Sequence, residues 1–485
     1  MKRNFRIIIT IWVAWILSSC QSWLEVKPYD QLSEKQVFAT TEGFRNALNG
    51  VYIELNSANL YGQQLTMTTV EYLANRFVVD DINVAPSVIS KHWYDDDAAK
   101  AYFDAIWQKA YGLIANINVL LDNCESGRGN VLSEMNYGII KGEAQAVRAM
   151  LHLDLFRLFG PMYPEGAEEE TIPYNKKVST VVVNYKGKEF MDHVLTDLKE
   201  ARDLLKKYDP IIEKGPSINQ DMYDNFRNRT YRMNYYAVET LLARAALYAG
   251  EKDSAYIAAK EVIAAQEKWF PFIKMTDIVG NVVSPDRIFS SEVLFALEHL
   301  RRWDNFKVAF NPEANNSMLS VISTWTQTLG YYGNPAGMSE WATDYRALPM
   351  FADSRVVGTT TNYICSKYAK VPTTDSLLNH TIPLIRISEA YYIAAECSTD
   401  EAERYDLMMT IRKNRGLNKP GAAYFKDNFE AYLTREYYRE FLCEGQLFFY
   451  FKRKHLESIK TGDGMDASLS ALQYVLPKAK SEIEY

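Results

Sequence analysis

The sequence predicts a mainly α-helical fold, and three observations carry that reading. Apolar residues recur every three to four positions over long stretches. Twice, at Met233–Gln266 and at Leu384–Gly416, two such stretches follow one another across a short break. Aromatic residues make up 13% of the chain, with 33 Tyr and 9 Trp, and most are expected to pack between helices. A helix content above roughly 40% follows, against about one-third in ordinary globular proteins. Strand is expected only as short hairpins between residues 270 and 382.

The N-terminus comes first. Lys2, Arg3 and Arg6 precede the apolar run Ile7–Leu17, which Leu17-Ser18-Ser19-Cys20 closes. At about 1.5 Å per residue that run spans only about half a bilayer core, so it reads as a secretory h-region and not a membrane span. The small-small-Cys ending resembles a bacterial lipobox. Residues 1–19 are then a signal peptide, Cys20 the acylated anchor, and residues 20–485 a single domain. Removing residues 1–19 takes away three positive charges and no acid, which moves the net charge from -7 to -10. So acidic a body excludes a nucleic-acid footprint. Cys124, Cys365, Cys397 and Cys443 show neither CxxC nor Cys/His spacing, and the default is small buried hydrophobes.

Tyr102–Asn123 places Phe103, Ile106, Trp107, Ala110, Ile114, Ile117 and Leu121 on one helical side. Ser133 can cap a second long helix that stops at Gly160-Pro161, and Glu189–Tyr208 forms a third, ended by Asp209-Pro210. In Met233–Gln266, Ala237, Leu241, Ala245 and Tyr248 lead to a break at Gly250, after which Ala255, Ala259 and Val262 continue. Two short antiparallel helices with small residues at their crossing are the tetratricopeptide pattern. Leu384–Gly416 repeats it, with a break near Ser398–Asp400, and one further helix is expected from Phe429 to about Lys454. The helical scaffold thus occupies about 40–270 and 383–455, and a loop-rich insert about 270–382.

Long irregular stretches at 76–98 and 270–382 are where function is expected. Trp93 and Tyr94 stand at the edge of the first; Trp325, Tyr331, Tyr332 and Trp341 lie in the second, with Gly330 and Gly333 bracketing the tyrosine pair. An aromatic ring offers a platform to the C–H face of a sugar, whereas an extended peptide needs backbone-directed groups and shallow pockets. These six residues are the candidate ligand contacts. The chain carries no GxSxG, HExxH, GxxxxGK[ST] or GxGxxG element. Its six His residues are scattered, and His152 reads as a satisfied core residue. Asp95-Asp96-Asp97 reads as a helix start rather than a calcium loop. No carboxylate pair stands out as a glycosidase couple. The expectation is a non-enzyme without cofactor or metal.

The segments WLEVKPYDQLSEKQVFATTEGFRNALNGVY, KGEAQAVRAMLHLDLFRLFGPMYP with Ile172-Pro173-Tyr174, NYYAVETLLARAALYAGEKDSAYIAAKEVI, IRKNRG, REYYREFLCEGQLFFYFKR and LPKAKSEIEY occur in this order nearly end to end. Together they resemble the SusD/RagB family of Bacteroidetes surface lipoproteins. Leu447 and Tyr450 depart from it, standing where many members carry Arg and Asp. So do Gln21-Ser22-Trp23-Leu24 after the lipid cysteine, where surface-exported members often carry acidic residues. The resemblance implies a SusD-like fold with four tetratricopeptide-like helix pairs and an irregular ligand-binding face. It further implies an outer-membrane, lipid-anchored protein that binds an oligosaccharide or oligopeptide and partners a SusC-like TonB-dependent β-barrel transporter. The rival reading is a helical-repeat scaffold that binds only proteins. Arg148, Arg157, Arg439, Glu440 and Glu444, on aromatic-rich helices, are expected to pair with opposite charges as helix–helix glue.

Overall fold

Side-chain caps set several of the helix starts. The computed structural model describes residues 33–79, 84–179, 181–216, 228–280, 282–311, 319–322, 326, 330–357 and 359–479; the leader, Cys20 and Trp325 lie outside the described residues. Helix α1 is Thr41–Leu55 and α2 is Asp97–Gly127, where the Asp96 carboxylate accepts from the Ala98 amide at 2.8 Å. The acidic triplet is therefore a cap, as expected. Helix α3, Glu134–Phe159, opens with the Ser133 hydroxyl accepting from the Asn136 amide at 3.2 Å. Its far end meets Lys452, whose side-chain nitrogen donates to the carbonyls of Arg157 and Gly160 at 3.0 and 2.7 Å; burial, with the Arg157 charge adding to it, brings the Lys452 amine down to about 7.

Next come α4 (Gly187–Tyr208), α5 (Tyr235–Tyr248) and α6 (Lys252–Ala264), then α7 (Ile387–Cys397) and α8 (Glu401–Lys413). The pairs α1/α2, α3/α4, α5/α6 and α7/α8 pack in succession, and α6 lies directly against α7 although some 120 residues separate them in sequence. Ala245, Ala258, Ala259, Ala390 and Ala394 are buried, which lets these helices approach closely. Helix makes up 55% and strand 11% of the described residues.

The helix expected from Phe429 to about Lys454 is two helices, α9 (Phe429–Glu440) and α10 (Leu447–Arg453). The turn between them places Cys443 at φ +53° and Gly445 at φ +69°. A β-carbon on Gly445 would stand 2.0 Å from the Leu65 carbonyl, so the two backbones approach closely here, at the turn that breaks the helix.

Strands are short and more widely spread than expected. β1 (Val78–Val79), β5 (Leu319–Ile322), β6 (Asp353–Val357) and β7 (Thr360–Ile364) form an antiparallel sheet in the order β1-β5-β7-β6. It joins the two long irregular stretches into one unit. β4 (Val293–Glu298) and β8 (Thr381–Arg386) form an antiparallel ladder that closes the two ends of the insert just before α7. Two hairpins lie outside 270–382: β2 (Glu170–Pro173) with β3 (Asn184–Lys186), and β9 (Ser458–Lys460) with β10 (Asp466–Ser468). At three or four residues each, these strands are too short to show a period of two.

Candidate functional site

Ion pairing on the helices prepares the surface above them. Arg148 forks onto Asp197, and Arg157 pairs with Asp154, so both are internal glue as expected. His152 is core too: its Nδ1 meets the Arg148 carbonyl at 2.9 Å, its Nε2 accepts from the Asn175 amide, and its ring stacks on Tyr174 at 3.9 Å. Burial holds its pKa well below the ordinary histidine value, with Arg148 adding to the shift.

The densest charge network lies under the insert. Glu440 accepts from Arg346, Arg386 and Arg415, and Glu444 from Arg386 and Lys367. Burial pushes the Glu440 carboxyl up, but Arg415, Arg386 and Arg346 overcome it and hold the group well below the usual carboxylate range. Glu436 feels the same contest. Arg346, Arg439 and Arg412 outweigh its burial and bring it to about 2.

Arg439, on α9, reaches out of this network to the insert. Its Nε donates to the Tyr331 carbonyl at 2.5 Å, one terminal nitrogen to the Gly333 carbonyl at 3.1 Å, and the other to Glu340 at 2.6 Å. Arg412, on α8, holds the second oxygen of Glu340 at 2.6 Å. Between these anchors runs a small hairpin. Glu340 N donates to Tyr332 O at 2.7 Å, Asn334 N to Met338 O at 2.8 Å, and Gly337 turns at φ +78°. A guanidinium fork thus fixes both legs of one turn.

Trp341 follows that hairpin. It is half-buried, its ring stacked on Tyr363 of β7 (centroids 5.0 Å apart, 17° between planes) and met edge-on by Tyr332 at 5.1 Å. The β6–β7 register pairs Ser354 with Tyr363 and Val356 with Thr361, so exposed Ser354, Val356 and Thr361 share the Tyr363 face of that hairpin. The result is an aromatic ledge bordered by hydroxyls, with its underside bolted to α8 and α9.

The other proposed contacts fall elsewhere. Tyr331 and Tyr332 are only 2% and 1% exposed and are corrected to core residues. The Tyr331 hydroxyl donates to the Arg76 carbonyl and its ring stacks on Tyr438 at 5.1 Å; Arg439 lies over the Tyr332 ring at 5.4 Å. Tyr94 is half-buried and lies apart from Trp341: its hydroxyl donates to the Gln473 carbonyl at 2.6 Å and its ring packs edge-on against Phe103. Trp93 is 60% exposed, with the Lys91 ammonium 4.8 Å over its ring. No hydrogen bond, ion pair or ring contact joins it to the ledge among the described residues. Trp325 lies outside the described residues. Tyr363 was missed, although the alternation in Thr360–Ile364 offered a strand signal that turns it to the same side as Thr361. Among the described residues no group of His, Cys, Asp and Glu is arranged to hold a metal.

The helix pairs thus carry a partly buried aromatic ledge pinned from beneath by Arg439 and Arg412. A family profile described as starch-binding and associating with the outer membrane matches residues 22–213, and the SusD family profile matches residues 324–466. The chain belongs to the SusD/RagB family. A SusD superfamily protein from Bacteroides thetaiotaomicron superposes with a TM-score of 0.72 at 21% identity, covering 92% of this chain and 98% of that one. A putative sugar binding protein from Bacteroides vulgatus gives 0.70 at 20% identity, covering 92% and 96%. Surface glycan-binding protein A of Bacteroides thetaiotaomicron, solved with laminarihexaose, gives 0.64 at 15% identity over 92% and 97%. No curated protein matches the chain. Among the described residues no helix is long and apolar enough to cross a membrane.

Proposed function

We propose that this protein is a non-enzymatic lipoprotein of the outer membrane, anchored through Cys20. It captures an oligomeric nutrient, a glycan ahead of an oligopeptide, and passes it to a SusC-like TonB-dependent β-barrel transporter. The observation that carries the reading is the Trp341–Tyr363 ledge. A stacked, partly exposed ring pair offers apolar surface to the C–H face of a pyranose, and Ser354 and Thr361 offer hydroxyls beside it. The ledge is preorganised by Arg439 and Arg412, so little conformational entropy is lost when a ligand stacks. The structural neighbour solved with laminarihexaose favours a glycan over a peptide.

The test is calorimetric titration of the wild type, Trp341→Ala and Tyr363→Ala with laminarihexaose, a panel of other oligosaccharides, and mixed oligopeptides. A binding oligosaccharide should lose about 1–3 kcal/mol of affinity in either variant, roughly ten-fold to a hundred-fold. Binding of peptides alone would replace the glycan reading, and unchanged affinity in both variants would move the site off the ledge. Cys20→Ala should shift the protein out of the membrane fraction. Delivery predicts that a β-barrel co-purifies with the wild-type protein in mild detergent.

A further inference from the structure

We propose that Cys365 and Cys443 form a disulfide in the mature protein, joining the end of β7 to the turn between α9 and α10. Their sulfurs lie 3.7 Å apart and both side chains are buried, at 1% and 0% exposure. A disulfide needs about 2.05 Å, so closure takes a shift of under about 2 Å. The two backbones are already held alongside each other. The Tyr368 hydroxyl donates to the Cys443 carbonyl at 3.1 Å, and Lys367 pairs with Glu444, so the residues flanking each thiol are fastened to the opposite segment. Cys443 stands at φ +53°, an unusual backbone for a residue with a β-carbon, within the tight turn that brings it to Cys365. Cys124 and Cys397 are buried free cysteines.

The chemistry follows from where the chain goes. A leader of the kind read at residues 1–19 delivers the unfolded chain to an oxidising compartment. There the thiolate of one cysteine attacks the disulfide of a dithiol–disulfide donor, forming a mixed disulfide and releasing one donor thiol. The second thiolate then attacks the sulfur of the first cysteine, closing Cys365–Cys443 and releasing the donor's second thiol. Two protein thiols are oxidised and one donor disulfide is reduced. Burial holds the folded Cys443 thiol well above its ordinary range, so the exchange belongs to folding, before the core closes. The same burial shields the finished bond from reductant.

The test uses the full-length protein exported to its own membrane, with free thiols trapped by N-ethylmaleimide at lysis in denaturant. Without reductant, Cys124 and Cys397 should be alkylated, and a digest should contain one cross-linked peptide pair holding Cys365 and Cys443. Reduction in denaturant should add two alkylation sites. Cys365→Ser should make Cys443 alkylatable without reductant, whereas Cys124→Ser should leave the cross-link intact. The cysteines lie 78 positions apart, so the cross-linked form should melt higher than the reduced form by about 5 °C or more. Alkylation of all four cysteines in the unreduced wild type overturns the proposal, as does a cross-link between any other pair. Neither outcome depends on a ligand, so the glycan reading stands or falls separately.

Discussion

The network around Glu440 and the ledge around Trp341 use opposite materials. Beneath the insert, Arg346, Arg386, Arg412, Arg415 and Arg439 are all sealed from water and each meets at least one carboxylate. Above it, the groups left half in water are aromatic and hydroxyl-bearing, and their neighbouring charges point down into the scaffold. Charge here specifies architecture, because a buried guanidinium tolerates only one arrangement of partners. The aromatic surface left partly uncovered is the part proposed above for recognition. Catalytic charge would look different: a carboxylate that three cations hold well below its usual range cannot serve as a proton donor near neutrality.

The comparison breaks first at Glu440. Glu440→Ala leaves three buried guanidiniums short of a partner and should cost about 3–5 kcal/mol, read as a large drop in melting temperature. A near-neutral result would mean that the network is not what holds the insert in place. Gly445→Leu comes next. A side chain there meets the Leu65 carbonyl in a left-handed turn, so a loss of about 3 kcal/mol is expected by denaturant unfolding. What remains folded should bind ligand as the wild type does, and a selective loss of affinity would make that turn part of the site.

Acid sharpens the contrast. Burial brings His92 down to about 4, although its ring nitrogen meets the Leu73 carbonyl, and burial also holds His152 well below the ordinary histidine value. Both are neutral in the fold, while the unfolded chain takes up protons below its pKa of about 6.5. Their contribution is therefore complete above about pH 6.5 and is lost as the pH falls towards 4, with about 3 kcal/mol at stake for His92 alone. Melting temperature should fall between pH 6.5 and 4.5. A His92→Gln variant should show a shallower decline, and an identical slope would contradict the assignment. The smallest effect is expected at Trp93. Exposed, with the Lys91 ammonium over its ring, it should change stability by less than about 0.5 kcal/mol on substitution by Ala. If Trp93→Ala nonetheless weakens glycan binding as much as Trp341→Ala, recognition extends beyond the ledge.

Much of the scaffold was legible because its signals are local. Ser133 capping, the break at Gly250 and the buried Ala245–Ala259 crossing all follow from residues within one turn or one helix pair. The aromatic assignments failed where burial is decided far away. Nothing near Tyr331 announces that Arg439 and Tyr438, more than a hundred residues on, will cover it, and Tyr94 is covered by a segment near residue 473. The bracketing glycines correctly marked a turn, but a turn signal does not say which side of it faces water. Trp341 was named and Tyr363 was not, because a ledge made by pairing two distant rings has no signature in either segment alone.

The β4–β8 ladder has a consequence for how such a protein diversifies. It brings Glu298 beside Thr381 and seats the chain for α7 against α6, so the helical stack continues as if the intervening stretch were absent. Lengthening a flexible excursion that starts and ends at one fixed gate adds only about 0.6 kcal/mol for each doubling. The exposed turns between the gateposts, such as the tip at Gly337, can thus change in length at little cost, while Glu340, Arg346 and Lys367 keep the stretch pinned to Arg439, Glu440 and Glu444. New appetites can be written onto an old frame at almost no mechanical cost.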